Sequence, residues 1–452
     1  MAEALRDYWL ESSRVVLPEG VRPAALHIAA GRITELSAAA PPGVSVTRLG
    51  AQVISPGLVD CHVHINEPGR TEWEGFDTAT RAAAAGGVTT LVDMPLNCLP
   101  VTTTRAALEQ KLDACRGQCH VDVGFWGGVV PGNTLDLPRL AAGGVLGCKA
   151  FLVHSGIDEF PNSSEADLRA AMPVLRDLGL PLLAHAELDL GVPGGAGLRA
   201  DPHAYQSFLD SRPPAWEEAA IALLIGLCRE TRCAVHIVHL SAASCLPLLR
   251  AAKDEGLPIS AETCPHYLCL EAEQIPRGAT EFKCAPPIRE HANREALWQG
   301  LLDGVIDFVI SDHSPCTPGL KQRGQGSFHE AWGGISSLQL GLSTLWTEAR
   351  QRGASLPQLA RWLSSAPARF AGIARDKGEL RAGRLADLVI WDPDERFVID
   401  SAQLFVRHKH TPYLQREVYG RVQTTLLAGR VVYDGSGHPA GPSGQLLLHR
   451  SV

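Results

Sequence analysis

The sequence predicts an α/β protein, a closed (β/α)8 TIM barrel joined to a small β-sandwich domain that the N- and C-terminal segments build together. Three observations lead there. Between about Gly57 and Ala368, eight short apolar strand-like segments alternate with amphipathic or alanine-rich helical ones. The two ends of the chain instead carry short strands separated by Gly/Pro turns. Finally, residues able to hold a metal recur near the ends of the central strand-like segments, and the C-terminal ends of strands are where a parallel barrel gathers its functional side chains.

The terminal pieces are Tyr8 to Leu17, Ala24 to Ala29, Arg32 to Ser37 and Val44 to Leu49 at one end, and Leu385 to Trp391, Glu417 to Leu427 and Arg430 to Tyr433 at the other. Neither set is long enough to bury a core alone, so residues 1–54 and 371–452 are expected to share one β domain around a barrel at 55–370. The barrel strands are expected at Gly57 to Ile65, Thr89 to Met94, His120 to Val129, Gly144 to Leu152, Leu180 to Glu187, Cys233 to Leu240, Pro258 to Thr263 and Ile306 to Ser311. Helical segments between them include Thr78 to Ala85, Arg105 to Ala114, Glu165 to Leu178, Trp216 to Glu230 and Ala243 to Glu255. Alternation of this kind implies a parallel sheet with right-handed crossovers, and eight units imply closure. An open doubly wound sheet is the alternative, but no glycine fingerprint for a dinucleotide follows the first strand.

Composition narrows the function classes. The 452 residues are 45% hydrophobic and 20% charged, ordinary globular material with room for one large domain and a small one. A net charge of -8 and a pI near 6.1 give no basic field for a phosphate backbone, so no nucleic-acid partner is expected. The longest apolar helical run, Ala219 to Cys228, is far short of the ~20 residues of a membrane span. The opening MAEALRDYWL has no basic stretch followed by an apolar core, so no signal peptide and a cytoplasmic location are expected. Twelve cysteines scattered without a C-x-x-C pair then read as reduced, buried thiols.

The chemistry begins at GLVDCHVHINEPGR, residues 57–70. His62 and His64 lie two apart in a strand, so they project from one face and suit a single metal ion. Lys149 sits within the apolar run GCKAFL, where an ammonium ion is costly to bury; it must be unprotonated, paired or modified. His185 ends the fifth strand, His239 the sixth and Asp312 the eighth, whereas His236 falls on the opposite face by parity and reads as structural. Singly each of these is an ordinary core or rim residue. Together at successive strand ends they make a metal centre.

The pattern D-x-H-x-H, a lone strand lysine, two further histidines and a late S-D-H resembles the cyclic amidohydrolases, the family of dihydroorotases, hydantoinases/dihydropyrimidinases and allantoinases. The resemblance covers essentially the whole chain. It implies that Lys149 is carboxylated by carbon dioxide and bridges two divalent metal ions, with His62, His64, Lys149 and Asp312 on one and Lys149, His185 and His239 on the other. Zinc is the expected metal, with cobalt, manganese or iron as alternatives of the same ligand chemistry. Such ions lower the pKa of a shared water from about 15.7 toward 7. Asp312 is then the catalytic group that takes a proton and returns it to the departing ring nitrogen. The family also implies a homotetramer.

The remaining motifs bear on the ring. HINEPGRTEWEGF, DMPLN, ETCPHYL, KCAPPIR and SDHSPC look most like the allantoinase branch. Dihydroorotases typically place an arginine after H-x-H to bind a substrate carboxylate, and this chain has Asn66 there. Hydantoinases usually carry a tyrosine shortly after the bridging lysine; here the sequence reads FLVHSG. The expected substrate is therefore the small molecule allantoin, opened to allantoate, with Asn66, Asn97 and Ser314 as substrate contacts. A hydantoinase or dihydropyrimidinase is the enzyme alternative. A non-catalytic assembly protein of the same fold is the other class, and it is disfavoured because all six metal-binding candidates are present. The Gly-rich stretch from His313 to Gly334 reads either as a lid or as a surface crossover.

Overall fold

The computed structural model describes residues 7–191 and 201–449. The outermost residues of the expected β domain (1–6 and 450–452) and residues 192–200 of the expected barrel lie outside it. Its strands are β1 (Tyr8–Leu17), β2 (Gly20–Ala29), β3 (Arg32–Ser37), β4 (Val46–Arg48), β5 (Val53–Pro56), β6 (Leu58–Val63), β7 (Val88–Asp93), β8 (Asp122–Phe125) and β9 (Gly127–Gly128). They continue with β10 (Cys148–Phe151), β11 (Leu182–His185), β12 (Val235–Ile237), β13 (Ile259–Thr263), β14 (Phe308–Val309), β15 (Leu388–Val398), β16 (Glu417–Leu427), β17 (Arg430–Tyr433) and β18 (Leu446–Leu447).

The barrel is parallel throughout, running β6–β7–β8 and then β9 through β14. It closes where Val63 bridges His313 and the His64 amide donates to the His313 carbonyl at 2.8 Å. Every residue of β6, β7 and β10 is buried, as expected of strands covered on both faces. Helices Phe76–Ala85, Arg105–Cys115, Glu165–Asp177, Pro214–Thr231, Leu246–Asp254 and His291–Leu302 lie between the strands. Their starts follow local chemistry: Thr104 caps the second helix, and Ser164 forms a capping box with Asp167 on the third.

The strands are shorter than the apolar runs suggested, for local reasons. The expected third strand is broken at Trp126, whose indole donates to the Cys61 carbonyl at 2.8 Å across the barrel interior. The expected fourth begins late because Gly144, at φ +97°, ends the preceding helix in the left-handed conformation.

The terminal strands form one eight-stranded sheet in the order β17–β16–β15–β5–β1–β2–β3, with β4 also on β1, and with its own buried cluster around Val15, Leu26, Ile54 and Leu388. The unforeseen β5 lies at its centre and runs directly into β6 through Gly57. A Cβ at Gly57 would come within 2.3 Å of Thr89 Oγ1, so the chain can pass from sheet to barrel there only as glycine. The tail beyond Tyr433 leaves that sheet, and β18 pairs with barrel strand β8.

Lys377 locks the two parts together. Its buried Nζ lies 2.7 Å from Asp122 on β8 and 2.5 Å from Asp387 just before β15. Burial alone would depress this amine, but the two carboxylates outweigh it and raise its pKa above the ordinary value. We expect Lys377→Met to leave two buried carboxylates unpaired and to lower stability by about 3–5 kcal/mol. The deficit measured by urea denaturation should shrink as pH falls, because the Asp122 carboxyl, already raised by burial, then takes up a proton.

Candidate metal centre

Six polar side chains from five strands converge at the C-terminal mouth of the barrel. His62 and Lys149 lie within β6 and β10, His185 ends β11, and His64 follows β6 directly. His239 and Asp312 lie two and three residues past the last hydrogen-bonded residues of β12 and β14, in left-handed backbone at φ 39° and 44°. Nine non-glycine residues have positive φ among the described residues, and four of them, Asn66, Asn97, His239 and Asp312, belong to this site. Such conformations persist where surrounding structure over-determines them, as around functional residues.

Lys149 Nζ lies 3.2 Å from His62 Nε2, and Asp312 Oδ1 lies 3.4 Å from the same nitrogen and 3.8 Å from His64 Nε2. His185 Nδ1 faces His239 Nε2 at 3.0 Å. All six are buried. Burial depresses the four imidazoles below their ordinary pKa, and the Lys149 amine adds to the effect, so each ring is neutral and offers a free lone pair. Their short contacts to carboxylates are therefore hydrogen bonds rather than ion pairs. Burial also lowers the Lys149 amine and raises the Asp312 carboxyl. No ion pair joins Lys149 to a carboxylate among the described residues; its amine lies 5.0 Å from the Phe151 ring instead.

Outer carboxylates fix the imidazoles. His62 Nδ1 donates to Glu262 at 2.6 Å, and His236, from the opposite face of β12, lies 3.0 Å from the other oxygen of Glu262. His185 Nε2 donates to Glu187 at 2.6 Å, and Glu187 is gripped by Arg212 through two N–H groups at 3.0 and 2.5 Å. Burial pushes Glu262 up to about 8, against the pull of Lys149. Burial pushes Glu187 the same way, but Arg212 outweighs it and holds the carboxyl at about 2. Such partners fix which imidazole nitrogen faces inward. Sequence reasoning did not single out Glu187, Glu262 or Arg212. Glu187 was within reach, since two residues after His185 it shares its face, but the parity of Glu262 says nothing of which histidine it meets.

The cluster floors a cavity of about 440 Å³ lined by His64, Lys149, His185, His239 and Asp312, and by Asn97, Ser314, Lys283 and Trp332 on its walls. Asn97 and Ser314 line this cavity. Asn66 does not line it: its left-handed backbone turns the amide to the Pro315 carbonyl at 3.2 Å. The stretch after β14 is fastened by Lys321, whose buried Nζ donates to the carbonyls of Lys283, Trp332 and Gly334.

Residues 53–432 match the amidohydrolase family. The chain is 50% identical to an allantoinase of Streptomyces avermitilis over 97% of its length and 98% of the relative's. It is 42% identical to an allantoinase of Arabidopsis thaliana, covering 98% and 91% of the two chains. Its fold matches an L-hydantoinase (dihydropyrimidinase) of Arthrobacter aurescens with a TM-score of 0.91 at 27% identity, over 98% of this chain and 100% of that one. A donor set of neutral imidazoles and a carboxylate, with His62, His64 and Asp312 offering atoms within 4.8 Å of one another, fits a divalent ion. Because burial keeps a proton on Asp312 up to higher pH than usual, binding the ion must displace it. Metal affinity measured by chelator competition should therefore fall on going from about pH 8 to 6, by up to about tenfold per unit. An affinity independent of pH would show that no proton is displaced.

Proposed function

The chain belongs to the amidohydrolase family, and from that premise we propose that it hydrolyses the hydantoin ring of allantoin to allantoate at a centre of two divalent ions bridged by carboxylated Lys149. The observation that carries this reading is Lys149 itself: a fully buried amine among neutral imidazoles, with no carboxylate in ion-pair contact among the described residues. Capture of carbon dioxide turns that amine into an anionic carbamate with two oxygens, which suits it to the histidine cluster and removes the cost of a buried ammonium. His62, His64 and Asp312 complete one ion's ligands and His185 and His239 the other's, with zinc the preferred metal.

Two such ions, when bound, make water acidic enough to supply hydroxide near neutral pH and polarise the ring carbonyl. The chain's own residues do the rest. Glu262 and Glu187 hold His62 and His185 in the tautomer whose lone pair faces inward. Asp312 takes the proton of the attacking water on a carboxylate oxygen and delivers it to the ring nitrogen as the amide bond breaks. Asn97 and Ser314 offer neutral hydrogen-bonding groups to the ring and ureido edges. The catalytic unit is the barrel at 55–370, with 1–54 and 371–452 as its composite β domain, in a cytoplasmic homotetramer.

The choice of allantoin rests on the near full-length likeness to allantoinases. The hydantoinase reading remains the second, because solved structures that share this fold over nearly its whole length include hydantoinases. Purified protein assayed on allantoin, 5-substituted hydantoins and dihydroorotate should show the highest kcat/KM on allantoin; preference for a plain hydantoin would overturn the substrate assignment. Lys149→Ala should lose bound metal and activity, with part of each restored by added short-chain carboxylic acid. Full activity of that variant without added acid would sink the bridging role.

A further inference from the structure

His266 lies in the short helix Pro265–Cys269 after β13, outside the cluster of six candidate metal-binding side chains. It is 0% exposed, and among the described residues neither of its ring nitrogens has a hydrogen-bond partner. A buried imidazole left without partners is unfavourable, and such a group calls for an account. One of its nitrogens lies within 4.8 Å of a carboxylate oxygen of Asp312 and of Cys264 Sγ. The ring is held edge-on against Tyr267 at 4.3 Å, and Tyr267 is itself anchored by its hydroxyl to the Pro286 carbonyl at 2.7 Å. Burial, with Lys321 adding to it, lowers the imidazole to about 3, so it is neutral and carries one N–H.

Asp312 has the complementary gap. Its backbone is left-handed, and among the described residues its carboxylate accepts no hydrogen bond from a backbone or side-chain donor; its contacts are the candidate ligands His62 and His64. A carboxylate asked both to hold an ion and to move a proton needs its plane fixed, and a carboxylate oxygen has two lone-pair sites, so an outer donor leaves it free to act. Cys264, the other neighbour, offers a weak S–H donor.

We propose that His266 is a positioning residue for Asp312, its ring N–H donating to the Asp312 carboxylate and holding that group in the orientation from which it transfers its proton. The gap to be closed is at most 4.8 Å, and the His266 ring is held in place by Tyr267. This inference rests on the reading of Asp312 as the proton-transfer group.

The test compares His266→Leu and His266→Gln with wild type as full-length, metal-loaded protein, on whichever cyclic amide the wild type turns over fastest. His266→Leu should keep two ions per subunit and a thermal midpoint equal to or above wild type, because an apolar side chain replaces an unpaired polar one. Its kcat should fall about 10–100-fold with KM within about twofold. His266→Gln, which keeps a donor, should retain kcat within about fivefold of wild type. A kcat for His266→Leu within about twofold of wild type, or a change confined to KM, overturns the proposal. Loss of one ion per subunit would make His266 a ligand and likewise overturn it. Should His266→Leu fail to fold, a metal-loaded but inactive His266→Gln refutes it and a retained kcat supports it. A wild-type preference for another ring would count against the substrate assignment alone, because the ratio of variant to wild type is read on that same ring.

Discussion

The structure is organised around one buried amine. Lys149 lies at the centre of four imidazoles, 3.2 Å from His62 Nε2, in an interior that disfavours its ammonium form. A charged lysine there would face neutral rings and two carboxyls, Asp312 and Glu262, that burial has itself raised. Neutral imidazoles with inward lone pairs, beside the Asp312 carboxyl, are the donors that a divalent ion takes. Every other feature of the mouth serves to keep these groups inward.

The barrel does that work through strand ends that are tied to one another. Asp60 accepts from the His62 amide with one oxygen and from the Ser311 amide with the other, so the first and last strands meet at the level of the ligands. Below it, the fully buried pair of Lys111 and Asp93 joins helix Arg105–Cys115 to β7, and Asp93 also receives the Ile65 amide just past His64. Glu262 and the Glu187–Arg212 pair fix the outer nitrogens of His62 and His185. These carboxylates are expensive to bury and are kept where each has a donor to serve.

The two outer carboxylates are not equivalent. Glu187 carries its negative charge against Arg212, which makes a neutral pair that can hold His185 whatever happens at the centre. Glu262 has the His62 and His236 imidazoles and the His239 backbone amide within bonding reach, and at longer range Lys149 pulls against the burial that raises its pKa. The carboxylates behind His185 and His62 are thus balanced by different means within one pocket, one by a local cation and the other by a more distant amine.

Much of this was legible in the chain. Period-two patterning and Gly/Pro punctuation located eight barrel strands and the terminal strands, and the two-residue spacing of His62 and His64 already placed both rings on one face. What the patterning missed was β5, too short and too close to β6 to stand out, and the departure of the tail after Tyr433 to pair with β8. At the site, the strand ends singled out His62, His64, Lys149, His185, His239 and Asp312 as candidates, and the fold gathers these six at one mouth; a buried basic or polar residue in an apolar run is a local signal. The roles of Glu262, Arg212 and His266, and the turning of Asn66 out of the cavity, were not encoded locally. They depend on which residues from strands far apart in sequence come within hydrogen-bond reach, and on a backbone twisted into left-handed conformation by its surroundings. The sequence determined the kinds of groups and the faces they occupy; the tertiary structure decided their partners, because a hydrogen bond across a closed barrel is set by three-dimensional register and not by spacing along the chain.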